Sequence, residues 1–258
     1  MDYKIVFFDI DGTLVNEDKE VTESTIEAIR DLRSSGVEAV IATGRAPYFF
    51  KPLAEKLGID SFVSLNGAYV VYQGKKIYKR TIPLSSLEPL VNLATKNKHS
   101  LVFQGSDAYF TNSDEHPYVI EAVSTLKVEL PGFNPDFWKS EDIYQAFLHC
   151  EAHEEHLYEL AFPDLRLVRW HNKAMDVLVS DGSKANGIEA LLSHLNMTPS
   201  DAVAFGDGLN DKEMLTHVGF GIAMGNAHKD LLPFANYVTS SVDEDGIRNG
   251  LRYLGLIG

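Results

Sequence analysis

The chain has 258 residues, 45% of them hydrophobic, enough to bury one large core or one core plus a smaller inserted domain. Its 37 acidic residues against 23 basic ones leave a net charge of −14, which argues against nucleic acid or an anionic membrane as a partner, because both require a basic footprint. No apolar run approaches membrane-spanning length, the strand-like entry at Lys4 leaves no room for a signal peptide, and a single cysteine, Cys150, cannot form an internal disulfide, so a reducing cytoplasm is the expected compartment.

The first element is the apolar run Ile5-Val6-Phe7-Phe8, which continues through Asp9-Ile10-Asp11 to Gly12-Thr13. It is too short for a helix and suits a strand covered on both faces. Gly12 permits a sharp turn. Ligands of open α/β sheets bind beyond the carboxyl ends of the strands, so Asp9 and Asp11 fall where chemistry is done. An EF-hand calcium loop counted from Asp9 as position 1 puts Leu14 where the turn glycine is required, and the preceding segment is not helical. What remains is a Mg²⁺ site in which one carboxylate attacks phosphorus and the other handles protons, a reading that needs partners elsewhere in the chain.

Ile26, Ile29 and Leu32 then recur at helical spacing between Val21 and Ser35, with Thr22 as a cap and Gly36 as the stop. Val37 to Ala42 is the next strand, and the β-α-β run implies a right-handed crossover and a parallel pair. It ends at Thr43-Gly44-Arg45, a hydroxyl, a bare backbone and a cation that suit a phosphoryl oxygen; a turn whose threonine caps the helix of Pro47 to Leu57 is the alternative. Ser61 to Leu65 reads as a third strand closed by Asn66-Gly67-Ala68, and Tyr69 to Tyr72 pairs with Ile77 to Arg80 around Gly74 as a hairpin.

From Pro83 the rhythm changes. Helices are expected over Leu84 to Asn97, Glu115 to Ser124 and near His153 to Leu160, and strands over Leu101 to Gln104, Ala108 to Thr111, Phe147-Leu148, Leu165 to Trp170 and Met175 to Val179. Residues 83–182 therefore form an α+β insert of about a hundred residues in a core made of 1–82 and 183–258. Beyond Gly182 the β-α alternation resumes with a helix from Lys184 to Leu195, a strand from Ala202 to Phe205, and the turn Gly206-Asp207-Gly208-Leu209-Asn210-Asp211. Strands at Phe220 to Met224 and Tyr237 to Thr239, with helices between them and from Asp243 to Leu254, complete the sheet.

Asp-x-Asp-Gly-Thr at 9–13, Thr-Gly-Arg at 43–45, Lys184 opening a helix and Gly-Asp-x-x-Asn-Asp at 206–211 occur in a specific order, each after a strand or turn. This pattern resembles the haloacid dehalogenase superfamily, and the insert after the Asn66-Gly67-Ala68 turn resembles that of its Cof-type phosphatases, which carry a C2B cap. Gly225-Asn226-Ala227 and the segment from Val238-Thr239 to Asp243-Glu244-Asp245-Gly246 extend the resemblance over nearly the whole chain. One departure is the glycine that usually follows the lysine, since Lys184-Ala185-Asn186 here precedes Gly187.

The resemblance implies a Rossmann-like parallel α/β core with an inserted cap and a cytoplasmic, Mg²⁺-dependent phosphatase of small phosphate esters: sugar phosphates, FMN or pyridoxal phosphate. By it, Asp9 is the nucleophile that forms an aspartyl-phosphate, and Asp11 protonates the leaving alcohol and then activates water. Asp9, Asp207 and the Asp11 backbone carbonyl hold the metal, with Asp211 ahead of Asn210 as the next oxygen donor. Lys184, Thr43, the Gly44 amide and Asn210 bind the phosphoryl group, and Arg45 and Asn66 contact substrate. The chemistry fits these roles. Phosphate monoester hydrolysis is accelerated up to ~10²¹-fold by enzymes, and splitting it into two displacements is a reasonable device. General acid catalysis is worth about 10²- to 10⁴-fold for a poor leaving group. A phosphomutase, or a regulatory binding module that kept the fold without turnover, are the rival readings.

Two features of the insert invite other chemistry. His149, His153 and His156, with Cys150, Glu151 and Glu154, offer metal-ligand types, but the strand-like Ala146-Phe147-Leu148 takes His149 off the helix that would align them. Trp170, His171 and Lys173 fall at a strand turn where an aromatic and a cation could read a leaving group, although packing is the commoner use of such a tryptophan.

Overall fold

The computed structural model describes residues 3–258. The first part of the chain forms β1 (Ile5–Phe8), α1 (Glu23–Ser34), β2 (Glu38–Ala42), α2 (Pro47–Leu57), β3 (Phe62–Ser64), β4 (Tyr69–Tyr72) and β5 (Lys75–Lys79). The middle forms α3 (Leu84–Lys96), β6 (Ser100–Gln104), β7 (Tyr109–Thr111), α4 (Pro117–Thr125), β8 (Gly132–Phe133), α5 (Phe137–Ser140), β9 (Gln145–His149), α6 (His156–Glu159), β10 (Leu165–His171) and β11 (Ala174–Val179). The last part forms α7 (Lys184–His194), β12 (Ala202–Gly206), α8 (Lys212–His217), β13 (Phe220–Ala223), β14 (Tyr237–Val238) and α9 (Gly246–Tyr253).

The chain divides into two compact units, one of residues 1–45, 50–78 and 183–258, the other of 46–49 and 79–182. The first is built on an eight-stranded sheet in the order β14-β13-β12-β1-β2-β3-β4-β5. Every pairing from β14 to β3 is parallel, and β4 turns back antiparallel on β3. From β1 the chain winds outward through β2 and β3, whereas β12, β13 and β14 run outward on the other side. The gap beyond the ends of β1 and β12 is therefore the switch point at which open α/β sheets bind ligands.

Strand alternation explains how this sheet is covered. Val6 and Phe8 point into a layer shared with Ile29 and Leu32 of α1 and Ile247 and Leu251 of α9, while Ile5 and Phe7 point into the opposite layer with Ile188, Leu191 and Leu192 of α7 and Met214 and Leu215 of α8. All four β1 side chains are fully buried. That explains why β1 is apolar throughout, since each phenylalanine removed from water contributes about 1.5–3 kcal/mol. Thr22 caps α1 by accepting the Thr25 N–H at 3.2 Å.

The second unit carries a six-stranded sheet, β10-β11-β9-β6-β7-β8, antiparallel except for the short β7–β8 pair. One face packs Leu101, Phe103, Ala146 and Leu148 under Leu87 and Leu90 of α3. The other packs Val102 and Phe147 under Val119 and Val123 of α4.

Several elements differ from expectation for local reasons. The helix expected near 153–160 is a 3-10 turn, Ala152–Glu154, followed by α6, because Glu151 and Glu154 close a reciprocal cap that sets its own short register. Among the described residues β13 and β14 are joined by a 3-10 turn, Leu232–Phe234, where Pro233 withholds a donor, and not by a helix. The final helix begins at Gly246 and not at Asp243, since Asp245 adopts a left-handed φ of 61°. β8 and α5 were not expected at all.

Candidate active site

Asp9 follows Phe8, and in the strand alternation it continues the Ile5-Phe7 face that α7 covers. Its N–H donates to the Phe205 carbonyl of β12 at 3.0 Å, which ties the residue to the neighbouring strand end. The residue is only 6% exposed. Gly12 has φ +76°, and a Cβ there would collide with the Asp207 carboxylate, so the loop after β1 closes on the loop after β12 only because position 12 lacks a side chain. Thr13 Oγ1 then donates to Asp207 Oδ1 at 3.0 Å.

Lys184, the first residue of α7, has no exposed surface. Its Nζ donates to Asp9 Oδ1 at 2.5 Å and to Asp211 Oδ1 at 2.6 Å. The second Asp211 oxygen, Oδ2, accepts the backbone N–H groups of Asp207 at 2.9 Å and Gly208 at 3.0 Å. Asp211 thus folds its own loop and anchors the lysine. The glycine that the sequence pattern places beside the lysine is Gly187 here, and α7 crosses β3 so closely that a Cβ at 187 would come within 2.5 Å of Val63 Cγ1.

The remaining sequence-derived residues divide. Asp11 directs its carboxylate to Arg45, whose Nε and Nη2 donate at 2.7 and 2.6 Å, and to Lys19 Nζ at 2.6 Å. Arg45 is therefore engaged by Asp11. Thr43 is buried and its hydroxyl accepts the Arg45 N–H at 3.1 Å. Gly44 lies against the Asn66 amide, and Asn210 lies on the Leu209–Asp211 turn with its Oδ1 against Gly208. Lys19 and Thr13 escaped the sequence reading. Thr13 was legible within the first motif, but nothing in the pattern of residues 14–20 marks Lys19.

Charge in this site is unbalanced. Burial, reinforced by Asp211, pushes the Asp9 carboxyl well above its ordinary range despite Lys184. Burial and Asp211 likewise push Asp207 up to about 7. Burial alone would lower Lys184, but Asp211 and Asp9 outweigh it and hold the ammonium firmly protonated. For Asp11, burial is outweighed by the Arg45 and Lys19 hydrogen bonds and charges, which keep it below the ordinary range.

Asp9, Asp207 and Asp211 each present an oxygen within 4.8 Å of the others, and among the described residues they are the one group of three or more such ligands able to hold a metal ion. Three hard oxygen donors, of which Asp9 and Asp207 are held above their ordinary range by burial and by the neighbouring Asp211, fit a small divalent cation such as Mg²⁺. The histidines of the second unit do not assemble in this way. His149 ends β9 and is fully buried, His153 pairs with Glu151 at 3.3 Å, and His156 contacts the His153 carbonyl at 2.8 Å. Trp170 packs on Phe147 with ring centroids 5.1 Å apart, and Lys173 is held by Glu151 at 2.5 Å.

The family model for haloacid dehalogenase-like hydrolases matches residues 6–251. The Bacillus subtilis (strain 168) protein named "Putative phosphatase YkrA" is 43% identical over 257 residues, which cover all of both chains. A solved structure of a hypothetical protein from Geobacillus kaustophilus HTA426 is 47% identical, with a TM-score of 0.94 over 99% of this chain and 100% of that one. The HAD subclass IIB sugar phosphatase BT4131 is 30% identical, with a TM-score of 0.87 over 98% of this chain and 100% of that one.

Proposed function

The chain belongs to the haloacid dehalogenase-like hydrolase family and is a phosphatase of it, and on that premise we propose that it hydrolyses small phosphorylated metabolites in the cytoplasm through a phosphoryl group carried on Asp9. The observation that carries this reading is the pairing of Asp9 with the buried Lys184, at 2.5 Å, beside Asp207 and Asp211 at the switch point of the sheet.

Lys184 occupies Asp9 Oδ1, which leaves Oδ2 as the attacking oxygen and fixes the carboxylate against rotation. Attack on phosphorus forms the Asp9–phosphate bond and breaks the bond to the leaving oxygen, which takes a proton from Asp11. Water then attacks the phosphoryl group, giving up a proton to Asp11, and Asp9 is released. The ion pairs with Arg45 and Lys19 favour the carboxylate of Asp11, the form that takes the proton from water; for the proton-donating step Asp11 must turn from these cations toward the leaving oxygen. Lys184, the Thr43 hydroxyl and the Gly44 amide neutralise and orient the phosphoryl oxygens, a local compensation that a chain of net charge −14 requires. Mg²⁺ held by Asp9, Asp207, Asp211 and the Asp11 carbonyl would supply positive charge at the phosphoryl group.

Residues 83–182 are the proposed cap, and their surface would select among leaving groups such as sugars, FMN or pyridoxal. No helix among the described residues is long and apolar enough to cross a membrane. Release of inorganic phosphate from an aryl phosphate and from a panel of phosphorylated metabolites, without an added bisphosphate, tests the reading. No phosphate release from any of them would refute it.

A further inference from the structure

Leu65, Asn66 and Gly67 form a run of three left-handed residues, with φ of +52°, +52° and +91°. A left-handed conformation is unfavourable for leucine and tolerable for asparagine, so the turn persists only because its surroundings hold it. The Leu65 N–H donates to the Arg45 carbonyl at 3.2 Å and the Asn66 N–H to the Thr43 carbonyl at 3.1 Å. On the other side, a Cβ at Gly67 would collide with the carbonyl of Ser183, the residue before Lys184, and would come within 3.2 Å of the Gly187 nitrogen. The strained turn therefore lies between the Thr43–Arg45 loop and the start of α7, all within the first unit.

The Asn66 side chain faces the first of these. Its Oδ1 and Nδ2 both lie 3.1 Å from where a Gly44 Cβ would sit, and the residue is 6% exposed. We infer that Asn66 is a positioning residue: the 65–67 turn sets the spacing between Thr43-Gly44 and Lys184, and the Asn66 amide packs the Gly44 backbone into place for the phosphoryl oxygens. This rests on the phosphatase reading and gives Asn66 a task other than contacting substrate. It also explains two glycines at once, since Gly67 and Gly187 let the turn and α7 approach without intervening side chains.

The test compares wild type, Asn66→Gly, Thr43→Ala and the double variant, using an aryl phosphate as substrate and inorganic phosphate as competing ligand. Glycine takes the left-handed backbone freely, so Asn66→Gly should keep the wild-type Tm while kcat/KM falls by about tenfold or more and phosphate binds more weakly. In the Thr43→Ala background the same change should cost less than in wild type, because the part of its effect that runs through the Thr43 hydroxyl is already lost while the part that runs through the Gly44 amide remains. Unchanged kcat/KM and phosphate affinity in Asn66→Gly would overturn the inference. So would losses that multiply in the double variant, which would give Asn66 a contact of its own, or a drop in Tm that accounts for the lost activity. A wild-type chain that neither hydrolyses the aryl phosphate nor binds phosphate would overturn the phosphatase reading, and this inference with it.

Discussion

Lys184 Nζ lies 2.6 Å from Asp211 Oδ1, and neither side chain has exposed surface. The lysine is also paired with Asp9, so it is the cation that lets three carboxylates share a buried site. Replacing it with the apolar Lys184→Met should abolish turnover and destabilise the fold by about 3–5 kcal/mol, because breaking a buried pair leaves its partners uncompensated. Added Mg²⁺ should recover part of the lost Tm by binding the native carboxylates. An unchanged Tm without the cation would show that the pair carries no such role.

The Asp207 carboxylate is held by Thr13 and pressed against Gly12, with few ways to move aside. Asp207→Ala should therefore raise the Mg²⁺ concentration needed for half-maximal activity sharply, and excess chelator should silence the wild type until Mg²⁺ is restored. Ca²⁺ should substitute poorly, since its longer bonds and looser geometry misplace the attacking carboxylate. A metal titration identical to wild type would remove Asp207 from the ligands.

Asp11→Asn should distinguish leaving groups. An aryl phosphate departs without a proton, whereas an alkyl phosphate needs one, so kcat/KM should fall by about 10²- to 10⁴-fold for alkyl esters and far less for aryl ones. Equal losses would mean that Asp11 does not protonate the leaving oxygen.

The parts of this site that were legible in the sequence are those that local pattern dictates. A short apolar run that must be a buried strand delivers Asp9, and the same logic delivers Asp207 at the end of β12. Lys184 was legible through its place in the order of motifs. What Arg45 pairs with was not, because it depends on where Asp11 turns its carboxylate. Lys19 was hidden for a similar reason: it comes back to Asp11 through a left-handed residue, φ +64°, in a turn organised by Asn16, and no periodicity encodes that. The late start of α9 and the 3-10 turn before β14 likewise depend on single residues, Asp245 and Pro233.

His149 gives the second unit a pH dependence. Its ring is fully buried, and burial, opposed by a backbone hydrogen bond at Ser100 and reinforced by the nearby His116 and His171, lowers its pKa from 6.5 to about 3. The folded chain therefore binds fewer protons here than the unfolded chain between those values. Stability is unaffected above about pH 6.5 and falls as the pH drops below it, by up to about 1.4 kcal/mol per unit from this residue. Denaturant unfolding of wild type and His149→Phe at pH 7 and pH 5.5 should show the variant losing less stability over that interval. Equal losses would contradict the assignment.

The central claim is that the phosphoryl group passes through Asp9. Wild-type protein mixed with excess phosphate ester, quenched in acid during turnover, reduced with borohydride and digested should yield a peptide in which the side chain at position 9 has become an alcohol, since an acyl phosphate is reduced and a free carboxylate is not. The account predicts this mark at Asp9 alone, and its absence from Asp9→Asn. Turnover that leaves Asp9 unmarked, or a mark on another carboxylate, would contradict it.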